Sequence, residues 1–422
     1  MPKAKTLIEA YNNFVVEPLK TVEEFEDFYV ERPKGAPSPI EELKDRIEHA
    51  ANAEKYLFLG FRGSGKSTEL NRLSRLIDTD KFIIVRYSIN ELNVSDFDFR
   101  DFFASMALKI YDTATKEVKL EKDIEDDFKE FMMKITRVSE EDITSYSKSG
   151  ISFSKLIILK LGSEEKTREY VRKELETKIS DLIQKLNWLI REVENKANKK
   201  IVIVVDDLDK LTRGQQAEDF FYKNYRLLIQ PNCFIIYTFP IPLAFNPYYE
   251  NVRHDFDDDV ILPQLPLKSR DGKKINNENL NFYWQLVGCR MDLNLIEEDA
   301  LKEAIFSTGK TSEFISIMRD ATIKAHRKEK EKITKEEINE VLEKLRRTFD
   351  RTLTEAHKKR LLDISEKKEG RDQNIDDSTT RELLFSLTAV EYEDKEGRWC
   401  DINALLQPLV EKWKAESKML KK

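Results

Sequence analysis

Two clusters of residues in this chain have the types and the spacing to do chemistry. The first is Gly60-Phe61-Arg62-Gly63-Ser64-Gly65-Lys66-Ser67, followed by Thr68. It satisfies G-x-x-x-x-G-K-[ST], the spacing of a loop that cradles phosphates. Glycines let the backbone turn tightly and aim successive N–H groups at one anion. The Lys66 ammonium is placed to reach β and γ phosphates, and the Ser67 hydroxyl to ligate Mg2+. The second cluster is Asp206-Asp207, at the end of Ile201-Val202-Ile203-Val204-Val205. Adjacent carboxylates at the end of an apolar run are costly unless a cation or a reaction employs them. Asp206 is the candidate to hold Mg2+ through water, and Asp207 the candidate general base toward the attacking water. Nucleotide binding is thus assigned to Gly60, Phe61, Arg62, Gly63, Ser64, Gly65, Lys66, Ser67 and Thr68, and the metal to Ser67 and Asp206.

These residues need a strand–loop–helix unit and a neighbouring strand to hold them. Tyr56–Leu59 reads as a buried strand, and Leu70, Leu73 and Leu76 carry a helical stripe after the loop. The β-branched run before Asp206 indicates a strand buried on both faces, as in a parallel sheet. Ligands bind such sheets at the carboxyl ends of their strands, where the acidic pair falls. Phe82–Tyr87 and Cys233–Thr238 supply two more strands. Thr238 ends its strand in a hydroxyl, which makes it a third catalytic candidate beside Lys66 and Asp207, to sense a γ-phosphate or orient water; a threonine that merely finishes a strand is the alternative. Phe97–Thr113 is an apolar helix, and residues 165–198 repeat apolar positions from Val171 to Val193 at helical spacing. The acidic stretch 114–150 reads as an inserted helical or mobile segment. Arg226 and Arg253 are two candidates for an arginine acting in trans.

Around this centre the chain divides into four parts. Residues 1–50 are a helical lead-in and linker, broken by Pro33, Gly35, Pro37 and Pro39; its Ile40–Ile47 stripe either covers an adenine or simply packs. Residues 51–267 are the nucleotide core, with 114–198 as a largely helical insertion. Residues 268–351 form a helical lid. Residues 352–422 read as two helices, a hairpin around Asp394-Lys395-Glu396-Gly397, and a last helix, the order of a winged helix. Basic residues from Lys324 to Arg371 suggest either a solvated face laced with ion pairs or a DNA contact.

Composition narrows the classes. A net charge of −7 with 36% charged residues argues against whole-surface nucleic-acid binding. Cys233, Cys289 and Cys400 lie far apart, so no zinc or disulfide framework is expected. The longest apolar run, around Leu156–Leu161, is too short to span a bilayer, and the first twenty residues lack a signal-peptide pattern. The expectation is a cytoplasmic protein with no membrane partner.

Gly60–Leu70, Ile201–Asp209, the strand 233–240 and the helical, winged-helix-like remainder together resemble the AAA+/STAND branch of P-loop ATPases. Within it the chain is most similar to prokaryotic ATPases related to the origin-recognition initiators. The resemblance implies an α/β fold with a parallel-sheet P-loop NTPase core, a helical lid and a C-terminal winged-helix-like domain. It implies ATP and Mg2+ as cofactors, and a slowly hydrolysing switch that couples nucleotide state to self-association or a protein partner, in signalling or defence. The alternative is a DNA-binding initiator or loader acting through residues 324–415; a small-molecule kinase has no acceptor-site signature to support it. Two departures stand out. Ser307-Thr308-Gly309-Lys310-Thr311-Ser312 has serine where the family's lid motif carries a nucleotide-sensing arginine, with Arg319 as a substitute. Asp207 stands where many members have glutamate, a shorter reach that implies slower hydrolysis.

Overall fold

The computed structural model describes residues 2–33, 38–211, 214–370 and 378–419. Its strands are β1 (Lys55–Gly60), β2 (Phe82–Ser88), β3 (Lys200–Asp206), β4 (Phe234–Pro240), β5 (Asp258–Ile261), β6 (Ala389–Asp394) and β7 (Gly397–Ile402). The helices used below are α1 (Leu7–Asn13), α2 (Pro39–His49), α3 (Lys66–Leu76), α4 (Phe99–Glu117), α5 (Glu165–Ala197), α6 (Asn277–Gly288), α7 (Glu298–Phe306), α8 (Thr311–Arg327), α9 (Lys335–Thr352), α10 (Glu355–Lys367), α11 (Ser378–Phe385) and α12 (Gln407–Met419). Contacts divide the chain into two compact units: Ile40–Leu59 with Arg72–Ile261, and Met1–Pro39 with Gly60–Asn71 and Leu262–Lys422.

The first unit is built on a sheet of order β2-β3-β4-β1-β5. The β2–β3, β3–β4 and β1–β5 pairings are parallel. The unbroken apolar run of β3 follows from its place inside the sheet, where Ile201 through Asp206 are all buried. The register sets Ser88 level with Asp206 and Val205 level with Tyr237, so the ends of β2, β3 and β4 come together. Helix α5 packs along α4. The segment between them folds into helices Lys122–Thr136, Glu140–Ser147 and Phe153–Ser163; the first buries Phe128, Met132 and Ile135. Arg172 of α5 donates to Asp101 at 2.9 Å and to Asp96 at 2.9 Å, which ties the long helix to the start of α4.

The second unit has its own core. Phe282, Leu286, Leu301, Phe314, Ile317 and Leu342 pack in one cluster drawn from α6 to α9. Leu7, Ala10 and Phe14 belong to the same cluster, as does Leu405. These residues of α1 and its C-terminal end recur at one-turn spacing and bury against the residues of α6 to α9. Thr6 caps α1 through a capping box with Glu9. After α9 come α10, α11, the antiparallel β6–β7 hairpin and α12, in the order the sequence indicates. Gly397, at φ 114°, occupies the position in the hairpin turn that a side chain would resist. No helix among the described residues is long and apolar enough to cross a membrane.

Candidate functional site

The phosphate loop runs from the end of β1 into the first turn of α3. Gly63 and Gly65 adopt φ of 83° and 103°, conformations that L side chains resist. Gly60 is also constrained: a Cβ there would lie 2.9 Å from Lys66 Cδ. The loop's carbonyls are satisfied one after another. Lys66 Nζ donates to Gly60 O at 2.7 Å and Phe61 O at 2.8 Å. Ser312 N donates to Gly63 O at 3.0 Å, and Glu69 N to Gly65 O at 3.0 Å. Arg32 Nη1 donates to Ser64 O at 3.2 Å, and its other nitrogen Nη2 to Pro263 O. With the carbonyls engaged, the loop can turn its N–H groups to an anion at the positive end of α3. Phe61 buries its ring and contributes backbone, whereas Arg62 is exposed.

The segment leading to Arg32 lies on the first turns of α3. Leu19 N donates to Thr68 Oγ1 at 3.3 Å, Asn71 Nδ2 to Leu19 O at 2.7 Å, and Tyr29 OH to Glu69 at 3.2 Å. Nothing in the spacing of residues 19–32 signals this role. The Ile40–Ile47 stripe lies in α2 and buries Ile40, Leu43 and Ile47.

The acidic pair sits at the end of β3, in the other unit. Asp206 closes the strand, and Arg86 Nη2 approaches its Oδ2 at 3.4 Å. Burial pulls the Arg86 guanidinium below its usual pKa, while Asp206 and Asp207 hold its charge. Asp207 turns out of the strand with φ 71° and ψ 4°, unusual for a non-glycine residue. Its amide donates to Asp206 Oδ1 at 2.7 Å. Ser88 and Asn90 both donate to Asp207 Oδ2, Asn90 at 2.6 Å, and Lys210 pairs with Oδ1 at 2.7 Å. These three partners were not foreseen; Ser88-x-Asn90 after a strand is too common a pattern to flag them. Thr238 is fully buried, and its Oγ1 accepts from Leu208 N at 2.9 Å. It anchors the turn that carries Asp207.

Residues 40–238, which span both clusters, match the model of the KAP family P-loop domain. This stretch is a P-loop NTPase domain. Solved structures similar to the whole chain include Aeropyrum pernix ORC1 in complex with DNA, at 12% identity over 97% of this chain and 98% of that one, with a TM-score of 0.40. Drosophila ORC bound to DNA is similar at 11% identity over 96% and 92%, TM-score 0.40. The Thermotoga maritima RuvB Holliday junction branch migration motor is similar at 11% over 94% and 98%, TM-score 0.37. No curated protein matches the chain.

Of the arginines considered for the NTPase domain, Arg253 is engaged with Asp259 at 2.9 Å and Glu250 at 3.7 Å. Arg226 is exposed, with its guanidinium 5.7 Å from the Tyr225 ring centre. Arg319, the candidate nucleotide-sensing residue, places its guanidinium 4.5 Å from the ring centre of Tyr11 in α1. Lys310 and Ser312, at the start of α8, lie against the phosphate loop at Gly63. Lys310 Cδ is 3.4 Å from where a Cβ on Gly63 would stand, and Ser312 Oγ is 2.0 Å from the same point. Burial lowers the pKa of Lys310; Glu313 opposes the shift, and Arg62 and Lys66 add to it.

The basic stretch is mostly spent on neighbours. Lys328 pairs with Glu336, Glu337 and Glu340, Lys330 with Glu336 and Glu337, and Lys324 with Glu340. Arg360 is buried, donating to Thr380 Oγ1 at 2.8 Å and Gly370 O at 3.1 Å. Lys358 pairs with Glu355 at 3.1 Å. Arg371 lies outside the described residues.

Proposed function

We propose that the chain is an ATP-dependent molecular switch with slow hydrolysis. ATP occupies Gly60–Thr68, with Lys66 on the β and γ phosphates. Ser67 and Asp206, the latter through water, are the ligands for Mg2+, which neutralises phosphate charge when bound. Asp207 is the general base, and Thr238 holds the turn that presents it. The observation that carries the reading is that the lid helix α8 starts on the phosphate loop: Ser312 N donates to Gly63 O at 3.0 Å. A change in the loop is therefore passed directly to the lid. Slow turnover is supported by the engagement of Asp207 with Ser88, Asn90 and Lys210, which occupy both carboxylate oxygens that an attacking water would have to reach. The element order of 355–419 supports a winged-helix-like unit that docks a partner. A DNA-handling role has less to rest on, because Lys324, Lys328, Lys330 and Arg360 are already partnered.

The solution mass of Asp207→Asn in Mg·ADP and in Mg·ATP tests this reading of the switch. The expected result is a larger species, or a newly bound partner protein, in ATP only. Identical mass and identical partner binding in the two nucleotides would overturn it.

A further inference from the structure

The inserted helices of the first unit reach the acidic pair through one glycine. Helix Phe153–Ser163 starts from a Ser152 cap, whose Oγ accepts from Lys155 N at 3.3 Å, and it buries Leu156, Ile157, Ile158 and Leu161. Its last turn lies on the backbone of the short turn Ile89–Glu91: a Cβ on Gly162 would stand 2.7 Å from Glu91 O. No ordinary side-chain carbon comes that near a carbonyl oxygen, so only glycine lets the helix rest there. Alanine would suit the helix itself better than glycine does. The close approach, not the helix, accounts for the residue.

The helix is the fixed side of this contact. Arg168 of α5 is buried and donates from Nη1 to Leu161 O at 3.2 Å and from Nε to Asp96 Oδ2 at 2.9 Å. Arg172, one turn on, holds Asp96 and Asp101. The turn Ile89–Glu91 is the lighter side. Ile89 anchors it in the core and Leu92 N closes it onto Ile89 O at 2.9 Å, whereas Asn90 and Glu91 are exposed. Lys109 of α4 steadies it by pairing with Glu91 Oε2 at 2.6 Å.

The same turn carries donors to Asp207. Asn90 Nδ2 donates to Asp207 Oδ2 at 2.6 Å. Asn90 N donates to Ser88 Oγ at 3.2 Å, and Ser88 Oγ donates to the same carboxylate oxygen. From Gly162 to Asp207 the path is therefore a backbone contact, the adjoining residue and a hydrogen bond. Displacing the turn lengthens and bends that bond, and hydrogen bonds weaken steeply with misalignment.

We propose that helix Phe153–Ser163 is a positioning element for the hydrolysis step, with Gly162 as its point of contact. It holds the turn Ile89–Glu91 where Asn90 restrains Asp207, so the rate of ATP hydrolysis depends on where the insertion sits. The inference rests on the reading of Asp207 as the base, and adds the element that sets how freely its carboxylate meets water.

The test is a double-mutant cycle on the full chain, read as phosphate release from saturating Mg·ATP. Titration of a fluorescent ATP analogue and a thermal melt accompany it. Gly162→Ala drives the turn off the helix and should raise turnover several-fold, by no more than Asn90→Ala does, with affinity for the analogue unchanged. Asn90→Ala removes the end of the path, so adding Gly162→Ala to it should alter turnover by less than about twofold. Lys109→Met loosens the same turn without adding an atom beside the helix. It should raise turnover by up to about fivefold and be silent in the Asn90→Ala background, and it decides the matter where Gly162→Ala does not fold. Gly162→Ala at the natural rate beside a faster Asn90→Ala overturns the inference alone, as do effects that multiply in the double variant. If Asn90→Ala and the natural chain turn over alike, the reading of Asp207 is overturned as well.

Discussion

Replacing Gly63 by alanine tests whether the phosphate loop and the start of α8 form one device. Gly63 sits at φ 83°, and an added Cβ would lie 2.0 Å from Ser312 Oγ and 3.0 Å from Ser312 Cβ. The backbone conformation costs an L residue about 1–2 kcal/mol. Relieving the overlap pushes Ser312 away and breaks its hydrogen bond to Gly63 O, worth about 1 kcal/mol. The sum, about 2–3 kcal/mol, corresponds to a loss of ATP affinity of roughly 30- to 150-fold. The assay is titration of a fluorescent ATP analogue, with a thermal melt to confirm that the chain is folded. Adding Ser312→Gly removes both overlapping atoms, so the double variant should recover about fivefold and retain only the backbone cost. If Gly63→Ala binds ATP within about threefold of the natural chain, or if Ser312→Gly restores nothing, then loop and lid are not coupled as described.

Two further outcomes follow from the same contacts. Asn90→Ala withdraws a donor from the Asp207 carboxylate, a bond worth about 1.5–3 kcal/mol, so basal ATP turnover should rise roughly 10- to 150-fold with affinity unchanged; a fall would make Asn90 a positioning residue instead. In α9, burial works against the charge of Glu337, but Lys330, Thr334 and Lys328 outweigh it and hold its pKa at about 2. The depressed value means that its contribution to stability is complete above about pH 4.5 and is lost as pH falls toward 2. Glu337→Gln should flatten that acid limb in melts taken across the window; an unchanged limb would show that other carboxylates carry it.

The phosphate-loop and acidic-strand motifs were the most legible part of the chain, because their backbone and charge requirements leave few substitutes. The loop at Gly60–Ser67 and the run ending in Asp206-Asp207 identify a P-loop NTPase domain, and the family match over 40–238 covers both. The parallel sheet was legible for a related reason, since only a strand buried on two faces is apolar throughout, as β3 is. What escaped sequence reading were groups whose role depends on long-range approach. Arg32 meets Ser64 O, Leu19 meets Thr68, and Asn403 meets Glu313, each across tens of residues and with no periodicity to announce it. Lys310 escaped too: serine stands at the family's sensing position, Arg319 two turns later is the substitute the sequence offers, and the approach of Lys310 and Ser312 to Gly63 is visible only in the fold.

In the function proposed above, this chain binds ATP and slowly turns it over with Asp207 as the base. The most direct measurement is to incubate the natural chain, Asp207→Asn and Lys66→Ala with Mg·ATP, remove free nucleotide on a desalting column, and identify what remains bound. ADP is expected on the natural chain, intact ATP on Asp207→Asn and no nucleotide on Lys66→Ala. ADP on Asp207→Asn at the natural rate, or nucleotide retained by Lys66→Ala as well as by the natural chain, would contradict it.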